Sequence, residues 1–478
     1  VVSVADTRRL HPGTIGLSII AQAPKQIPGL IALFAAFSRG RVEIAAAILG
    51  VGIVLLGVFA WARWRQFSYT IDAGELTIAE GLLHRSRRSI PFDRIQDVSI
   101  EQKPLARLFG LARVKVETGG GEADEASLDS VTLAEAARLR AVLRQGGTPA
   151  AAATGPVEPK RVTVFAMPIG RVLAMGAFGF SLVWVGVLFA ALNQLGDLID
   201  FDWREVRDIA GIAREQAIGL VTPIFAALAF VVALLLGAIS GIVRTLLVEY
   251  GFRLEREGDR LRRVRGLLTR TEVVVSLRRV QLALIERGMV SGRFGWSSLR
   301  FQTLGGSDDA GGRQSVAPFA RDDEVAALLA EAGYPRFDPL PLRPVAFGHV
   351  VRAGVWRGGV PLVAIAVGTV FLPLVAFALV LVPIPVALAL IARRRHRYAI
   401  VGDHLQVMRG VLAKQAWIVP LARIQAVSVT RGPLQRLLGI ATVQVGTAGA
   451  RGMARPDVVD LAVEDADALA RALLRRAD

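Results

Sequence analysis

The chain has 478 residues, 53% of them apolar, a mean hydropathy of +0.47 and a formal net charge of +16. That length accommodates several domains, and that hydropathy excludes an ordinary water-soluble assembly. Cysteine is absent, which excludes disulfides and thiolate chemistry.

The apolar excess lies in blocks, each long enough to cross about 30 Å of hydrocarbon at about 1.5 Å per residue. Ile15 to Phe37 is mostly apolar but carries Pro24 and Lys25, which predicts a tilted or kinked span. No charged start followed by a small-residue cleavage site precedes Lys25, so a retained N-terminus is expected rather than a signal peptide. Val42 to Ala62 is the clearer partner, and it ends on Arg63, Trp64 and Arg65, residues suited to the headgroup boundary. Residues 15–65 therefore predict a first membrane hairpin.

Residues 66–146 then read as a small folded module. Phe67 to Ile71 and Leu76 to Glu80 alternate like two strands joined by a turn, and Val98 to Glu101 and Ala112 to Glu117 alternate likewise. Arg85, Arg87 and Arg88 give one strand a basic edge. Thr132 is placed to cap a helix with Glu135 at its third position and Leu133, Ala136, Leu139, Val142 and Leu143 on one side. The pattern predicts antiparallel strands closed by one C-terminal helix, a partly open barrel. An Ala, Gly and Pro-rich linker, residues 147–160, ends this part.

The order of parts recurs. Residues 161–245 predict a second hairpin, built on Pro168 to Leu192 and Ile218 to Val243 with an acidic connection between them. A second module spans residues 246–333 and a proline-containing linker residues 334–348. A third hairpin spans residues 349–397, ends on the basic collar Arg393, Arg394, Arg395, His396 and Arg397, and leads to a third module over residues 398–478.

The modules share a rigid outline. Gly81, Gln96 and Gly110 stand at the same intervals as Gly266, Gln281 and Gly295, and as Gly410, Gln425 and Gly439. A register kept without insertion argues for three copies of one fold, because a one-residue slip in a strand sends its apolar set to the wrong face. Copy two departs where Ser276 replaces Pro91 and Pro420, and where Met289 replaces Pro104 and Pro433, so a different edge geometry is expected there. The three glutamines are expected to be buried at corresponding places, their amides bonded to backbone.

Two spans per repeat return the chain to one side each time. The basic collars fall on that side, so by charge bias the modules and both termini are expected in the cytoplasm, with the spans in the inner (cytoplasmic) membrane.

Paired spans followed by this glycine, proline and Arg-Ile-Gln outline resemble the bacterial membrane proteins with type-2 bacterial pleckstrin-homology domains, the YdbS/YdbT-like group, and specifically its larger three-unit members. The resemblance covers nearly the whole chain. It implies an α+β membrane protein of about six transmembrane helices in three hairpins, each followed by a PH-like split β-barrel with a C-terminal helix. It carries no catalytic residues, and the matching Pro91, Arg94, Ile95, Gln96, Pro104 and Gly110 look structural.

The residues themselves offer no enzyme. The five histidines, at positions 11, 84, 349, 396 and 404, are scattered in sequence and supply no metal-ligand spacing. Gly119-Gly120-Gly121 lacks the following Lys and Ser or Thr of a phosphate cradle. No cofactor is expected. The arginines are read as topology determinants and anionic-headgroup contacts, each worth about 1 kcal/mol near such a surface. The candidates are Arg63, Arg65, Arg85, Arg87, Arg88, Arg393, Arg394, Arg395 and Arg397. Nucleic acid is not the expected partner, since a collar directly after a hairpin suits snorkelling better. The expectation is a non-enzymatic scaffold whose modules engage membrane lipids, peptides, another membrane protein or one another, with transport through the helices as the alternative reading.

Overall fold

The computed structural model describes residues 6–22, 42–72, 74–82, 85–118, 126–144, 161–179, 214–303, 313–339, 342–371, 378–448 and 455–475. The first repeat runs β1 (Asp6–Arg8), α1 (Gly13–Gln22), α2 (Val42–Gln66), β2 (Ser68–Asp72), β3 (Glu75–Glu80), β4 (Ser86–Pro91), β5 (Ile95–Gln102), α3 (Pro104–Leu108), β6 (Leu111–Thr118), β7 (Ala126–Thr132) and α4 (Leu133–Arg144). The second runs β8 (Val162–Ala166), α5 (Ile169–Phe178), α6 (Arg214–Glu249), β9 (Arg253–Glu257), β10 (Arg260–Arg265), β11 (Arg270–Ser276), β12 (Val280–Arg287), β13 (Trp296–Thr303), β14 (Arg313–Arg321) and α7 (Asp322–Glu331). The third runs β15 (Arg343–Pro344), α8 (Gly348–Gly354), α9 (Val360–Phe371), α10 (Pro383–Arg395), β16 (Arg397–Val401), β17 (His404–Arg409), β18 (Lys414–Pro420), β19 (Ile424–Thr430), α11 (Pro433–Leu437), β20 (Ile440–Thr447), β21 (Val458–Ala462) and α12 (Val463–Arg475).

The motif residues earn their spacing through backbone geometry. Gly81, Gly266 and Gly410 take φ of 112°, 108° and 119°, and Gly110, Gly295 and Gly439 take 64°, 74° and 62°. A side chain resists such values, so these positions select glycine. Pro104 and Pro433 open the short helices α3 and α11 at a position where their fixed φ suits the first turn. Copy two, which has Met289 there, forms a 3-10 turn at Ser291–Phe294 instead. Ser276 changes little, since its φ of −77° lies close to the −60° and −61° of Pro91 and Pro420.

The strands do not close into three separate barrels. Four sheets form, ordered β1-β2-β3-β4, β7-β6-β5-β11-β10-β9-β8, β14-β13-β12-β18-β17-β16-β15 and β19-β20-β21. The C-terminal half of each module thus joins the N-terminal half of the next, through β5 against β11 and β12 against β18. The first core stays within its own module, and the third crosses the boundary. The first contains Tyr69, Leu76, Val98, Val114, Leu128 and Leu139, with α4 as its lid. The third contains Trp417, Val443, Leu461 and Leu469, and it also takes Leu282 and Leu284 from the second module's β12. Both leucines are fully buried, which stabilises the shared arrangement by about 3–6 kcal/mol for the pair.

A short strand ahead of each hairpin had no signal in the sequence. β1 pairs with β2, Asp6 facing Ile71, and β15 pairs with β16, Arg343 facing Tyr398; β8 is likewise the neighbour of β9. The chain segments before and after the helices of each repeat are therefore held side by side.

Among the described residues, two helices are long and apolar enough to cross a membrane, Phe230–Glu249 and Gly348–Val370, against the six expected. Much of Ile15 to Phe37 and of Pro168 to Leu192 lies outside the described residues. α10 has only 13 residues, about 20 Å of helix, which is short of a bilayer's hydrocarbon core. α2 has 25 residues and leaves Val51, Ile53, Val54, Leu55, Val58 and Phe59 exposed.

The chain divides into two compact units. One comprises residues 166–253 and 265–269, and the other the rest. In the smaller unit α5 and α6 meet at glycines: a β-carbon on Gly176 would lie 2.5 Å from the Ile242 Cα, and one on Gly241 2.6 Å from the Gly176 oxygen. Small residues at such a crossing let two backbones touch, which is how apolar helices associate without a hydrophobic driving force.

Candidate functional site

Arg63 and Arg65 lie exposed in the last turn of α2, the Arg65 guanidinium 5.3 Å from the Trp61 ring centre. Cations there complement the negative end of the helix. The neighbouring Trp64 is differently employed: its Nε1 donates to the Leu10 carbonyl at 2.9 Å, tying the helix end to the segment that enters the hairpin. Arg87 and Arg88 are exposed on β4, with Arg85 exposed just before it.

The third collar divides. Arg394 is exposed. Arg395 donates to the Val411 carbonyl, Arg397 Nε donates to the Arg394 carbonyl at 2.9 Å, and Arg393 lies 5.5 Å over the Phe347 ring. Much of this cluster therefore braces the junction between α10 and the third module.

The glutamines do not behave alike. Gln281 is buried and its Nε2 donates to the Arg279 carbonyl at 3.1 Å, as expected. The Gln96 side chain lies outside the described residues. Gln425 is exposed, contrary to expectation. The cause is strand neighbourhood: β12 is flanked by β13 and β18, whereas β19 has β20 alone among the described residues.

Two polar clusters escaped sequence reasoning. At the first junction Glu272 of β11 accepts from Arg262 Nε at 2.6 Å and from Arg140 of α4, while Arg262 Nη1 also bonds Glu255 at 2.9 Å. Burial would raise the Glu272 pKa, but the two arginines together outweigh it and hold the carboxyl below its ordinary value.

The second cluster centres on Asp460, fully buried in the middle of β21 with φ of 62°. Its Oδ2 lies 2.7 Å from His349 Nδ1 and accepts from Arg352 Nε at 2.9 Å; its Oδ1 accepts from Gln435 Nε2 at 2.7 Å. Its backbone carbonyl accepts from Ala346 N at 3.0 Å. Burial pushes its pKa up, and the bonds from His349 and Gln435 with the Arg352 charge reverse that to a net lowering. His349 also meets His396 edge to face at 5.9 Å, so two histidines far apart in sequence share one place. Ser130 is the counterpart in copy one: its φ is 61° and its carbonyl accepts from His11 N at 3.1 Å. Each of these residues stands three before the closing helix, at Leu133 and Val463. That shared offset is the only sequence signal the site offered.

The bacterial PH domain family matches the chain three times, over residues 19–146, 206–334 and 359–477. The chain belongs to this family. It is 23% identical to the transmembrane protein YdbT of Bacillus subtilis over 97% of both chains. It is also 31% identical to the transmembrane protein YdbS of the same organism over 20% of this chain and 58% of that one. No solved structure matches. Each family match takes in helix ahead of its strands, α2, α6 or α9 with α10, so the helical and PH-like parts recur as one piece. This is a transmembrane protein with three bacterial PH repeats, as the YdbS/YdbT resemblance implied.

Proposed function

We propose that the protein is a non-enzymatic integral scaffold of the bacterial inner membrane, with six spans and with its three PH-like modules and both termini in the cytoplasm. The observation that carries this reading is the combination of strand clamps and shared sheets. A clamp fixes the two ends of a hairpin together, and a shared sheet fixes each module to the next. Such a construction holds modules at set positions along a membrane, which is a scaffold's task.

In this reading the exposed arginines contact anionic headgroups, Arg63, Arg65 and Arg394 from helix ends and Arg85, Arg87 and Arg88 from a strand edge. Attraction of this kind weakens with salt, because the Debye length shortens to about 8 Å at physiological ionic strength. The test is native mass spectrometry of the full chain released from nanodiscs of phosphatidylglycerol or phosphatidylcholine. The wild type should retain anionic lipid, less so at raised salt. The Arg63, Arg65 and Arg394→Gln triple variant and the Arg85, Arg87 and Arg88→Gln triple variant should each retain less. Equal retention of both lipids by wild type and variants would reject the headgroup role.

A further inference from the structure

Each internal junction joins a trailing edge, β5 or β12, to the leading edge of the next module, β11 or β18. Of the strands equivalent to these four, two have a neighbour on one side alone among the described residues: β4, beside β3, and β19, beside β20. β4 is the leading edge of copy one and β19 the trailing edge of copy three. They are the counterparts that meet twice inside the chain. We propose that β4 of one molecule pairs antiparallel with β19 of a second copy, so that the protein associates head to tail.

The register of the two internal junctions supports this occupant. At the first, Thr271 faces Glu101; at the second, Gln415 faces Glu286. Thr271 and Gln415 each stand five residues past their repeat glycine, Gly266 or Gly410, and Glu101 and Glu286 five past Gln96 or Gln281. Two junctions with little sequence in common thus keep one register. Carried to the remaining edges, it sets Ser86 opposite Thr430, Arg87 opposite Val429 and Arg88 opposite Ser428.

Burial points the same way. Val98 and Ile100 on β5 are 1% and 6% exposed, and Ala283 and Ile285 on β12 are 0% and 5%. Their counterparts Val427 and Val429 on β19 are only half-buried, and Ala426 is exposed. Val98 and Ile100 belong to the first module's own core, and Val427 and Val429 pack against the third module's, so the sets differ in the strand beside them: β5 and β12 have one from the next module, and a second copy supplies one for β19.

The charges are compatible. At the first junction Arg140 of α4 pairs with Glu272 of β11. The position of Glu272 is held in β4 by Arg87, and that of Arg140 in α12 by Ala470, each of these helix residues standing seven past the start of its helix. Both members of the pair differ together, so Arg87 does not meet an arginine there. Arg85 would face Arg431, but Lys414 already faces Arg287 at the second junction. A contact of this heterologous kind closes into a ring or extends as a row, according to its rotation. The opposing reading is that the β4 arginines are there to prevent strand pairing.

The absence of cysteine makes the test clean. Full-length Ser86→Cys and Thr430→Cys proteins, differently tagged, are co-expressed in one membrane and oxidised. A disulfide-linked heterodimer is expected, several-fold above the yield of Ser86→Cys with Val429→Cys, whose side chain projects to the other face. Adding Val427→Lys and Val429→Lys to the Thr430→Cys protein should abolish the cross-link. Equal yields for the Thr430 and Val429 pairs, a predominance of Ser86-to-Ser86 links, or no link at any expression level would each overturn the proposal.

Discussion

Replacing Asp460 should unlock the third module from the helix that precedes it. In Asp460→Ala the side chains of His349, Arg352 and Gln435 lose their common acceptor. Breaking a buried pair costs about 3–5 kcal/mol, and Arg352 is 33% exposed, so the lower end applies, about 3 kcal/mol. Alanine must also adopt φ near 62°, which adds about 1–2 kcal/mol. The sum is about 4–5 kcal/mol. Asp460→Asn keeps the shape and the tolerance of positive φ and exchanges charged bonds for neutral ones, a loss of about 1–2 kcal/mol. Ser130→Ala imposes the backbone part alone on copy one. Hydrogen exchange of the full chain in nanodiscs, read over β21 and α12, converts these to ratios at about 1.4 kcal/mol per tenfold. Protection should fall about a thousandfold in the alanine variant and about tenfold in the asparagine variant. The acid dependence has a definite sign. Because the folded pKa is lowered from its ordinary 3.8, the carboxylate's contribution is complete above that value and is lost as pH falls through the lower folded one. Asp460→Asn should lack this acid loss. Exchange in Asp460→Ala within threefold of wild type would refute the reasoning.

The glycine crossing predicts that Gly241→Val lowers the thermal unfolding midpoint of the full chain, with a cost of at least about 1–3 kcal/mol, because its β-carbon meets backbone that cannot yield. Gly57→Ala, with nothing within 4 Å of its β-carbon, should be neutral or stabilising in the same melt. For topology, reporter fusions after Gly146, Gly333 and Asp478 should all score as cytoplasmic and one after Asp200 as external; two module ends on opposite sides would remove the six-span proposal.

The sequence by itself determined the repeat. Glycines held at positive φ leave their identity in the chain, and their spacing marked three copies of one fold before any strand was paired. The departure of copy two at Met289 was legible as well, because a proline's fixed φ is a local backbone effect, while the short helices α3 and α11 and the 3-10 turn that replaces them came from the structure. Hydropathy marked the apolar blocks, and two of them, Phe230–Glu249 and Gly348–Val370, stand as helices long enough to cross a membrane among the described residues. Only the tertiary structure decided which strand lies beside which. Alternation in β5 and β19 reports that one face is apolar, and it reads alike although β5 has the next module's β11 beside it and β19 has β20 alone among the described residues. Gln281 and Gln425 therefore carry one motif and end in opposite environments. β1 and β15, three and two residues long, are too short for any period to register. Asp460 gathers His349 and Arg352 from across more than a hundred residues, a convergence that depends on hairpin closure and sheet register together. A sequence records the local cost of each backbone conformation, while edge, neighbour and burial are set by long-range pairing.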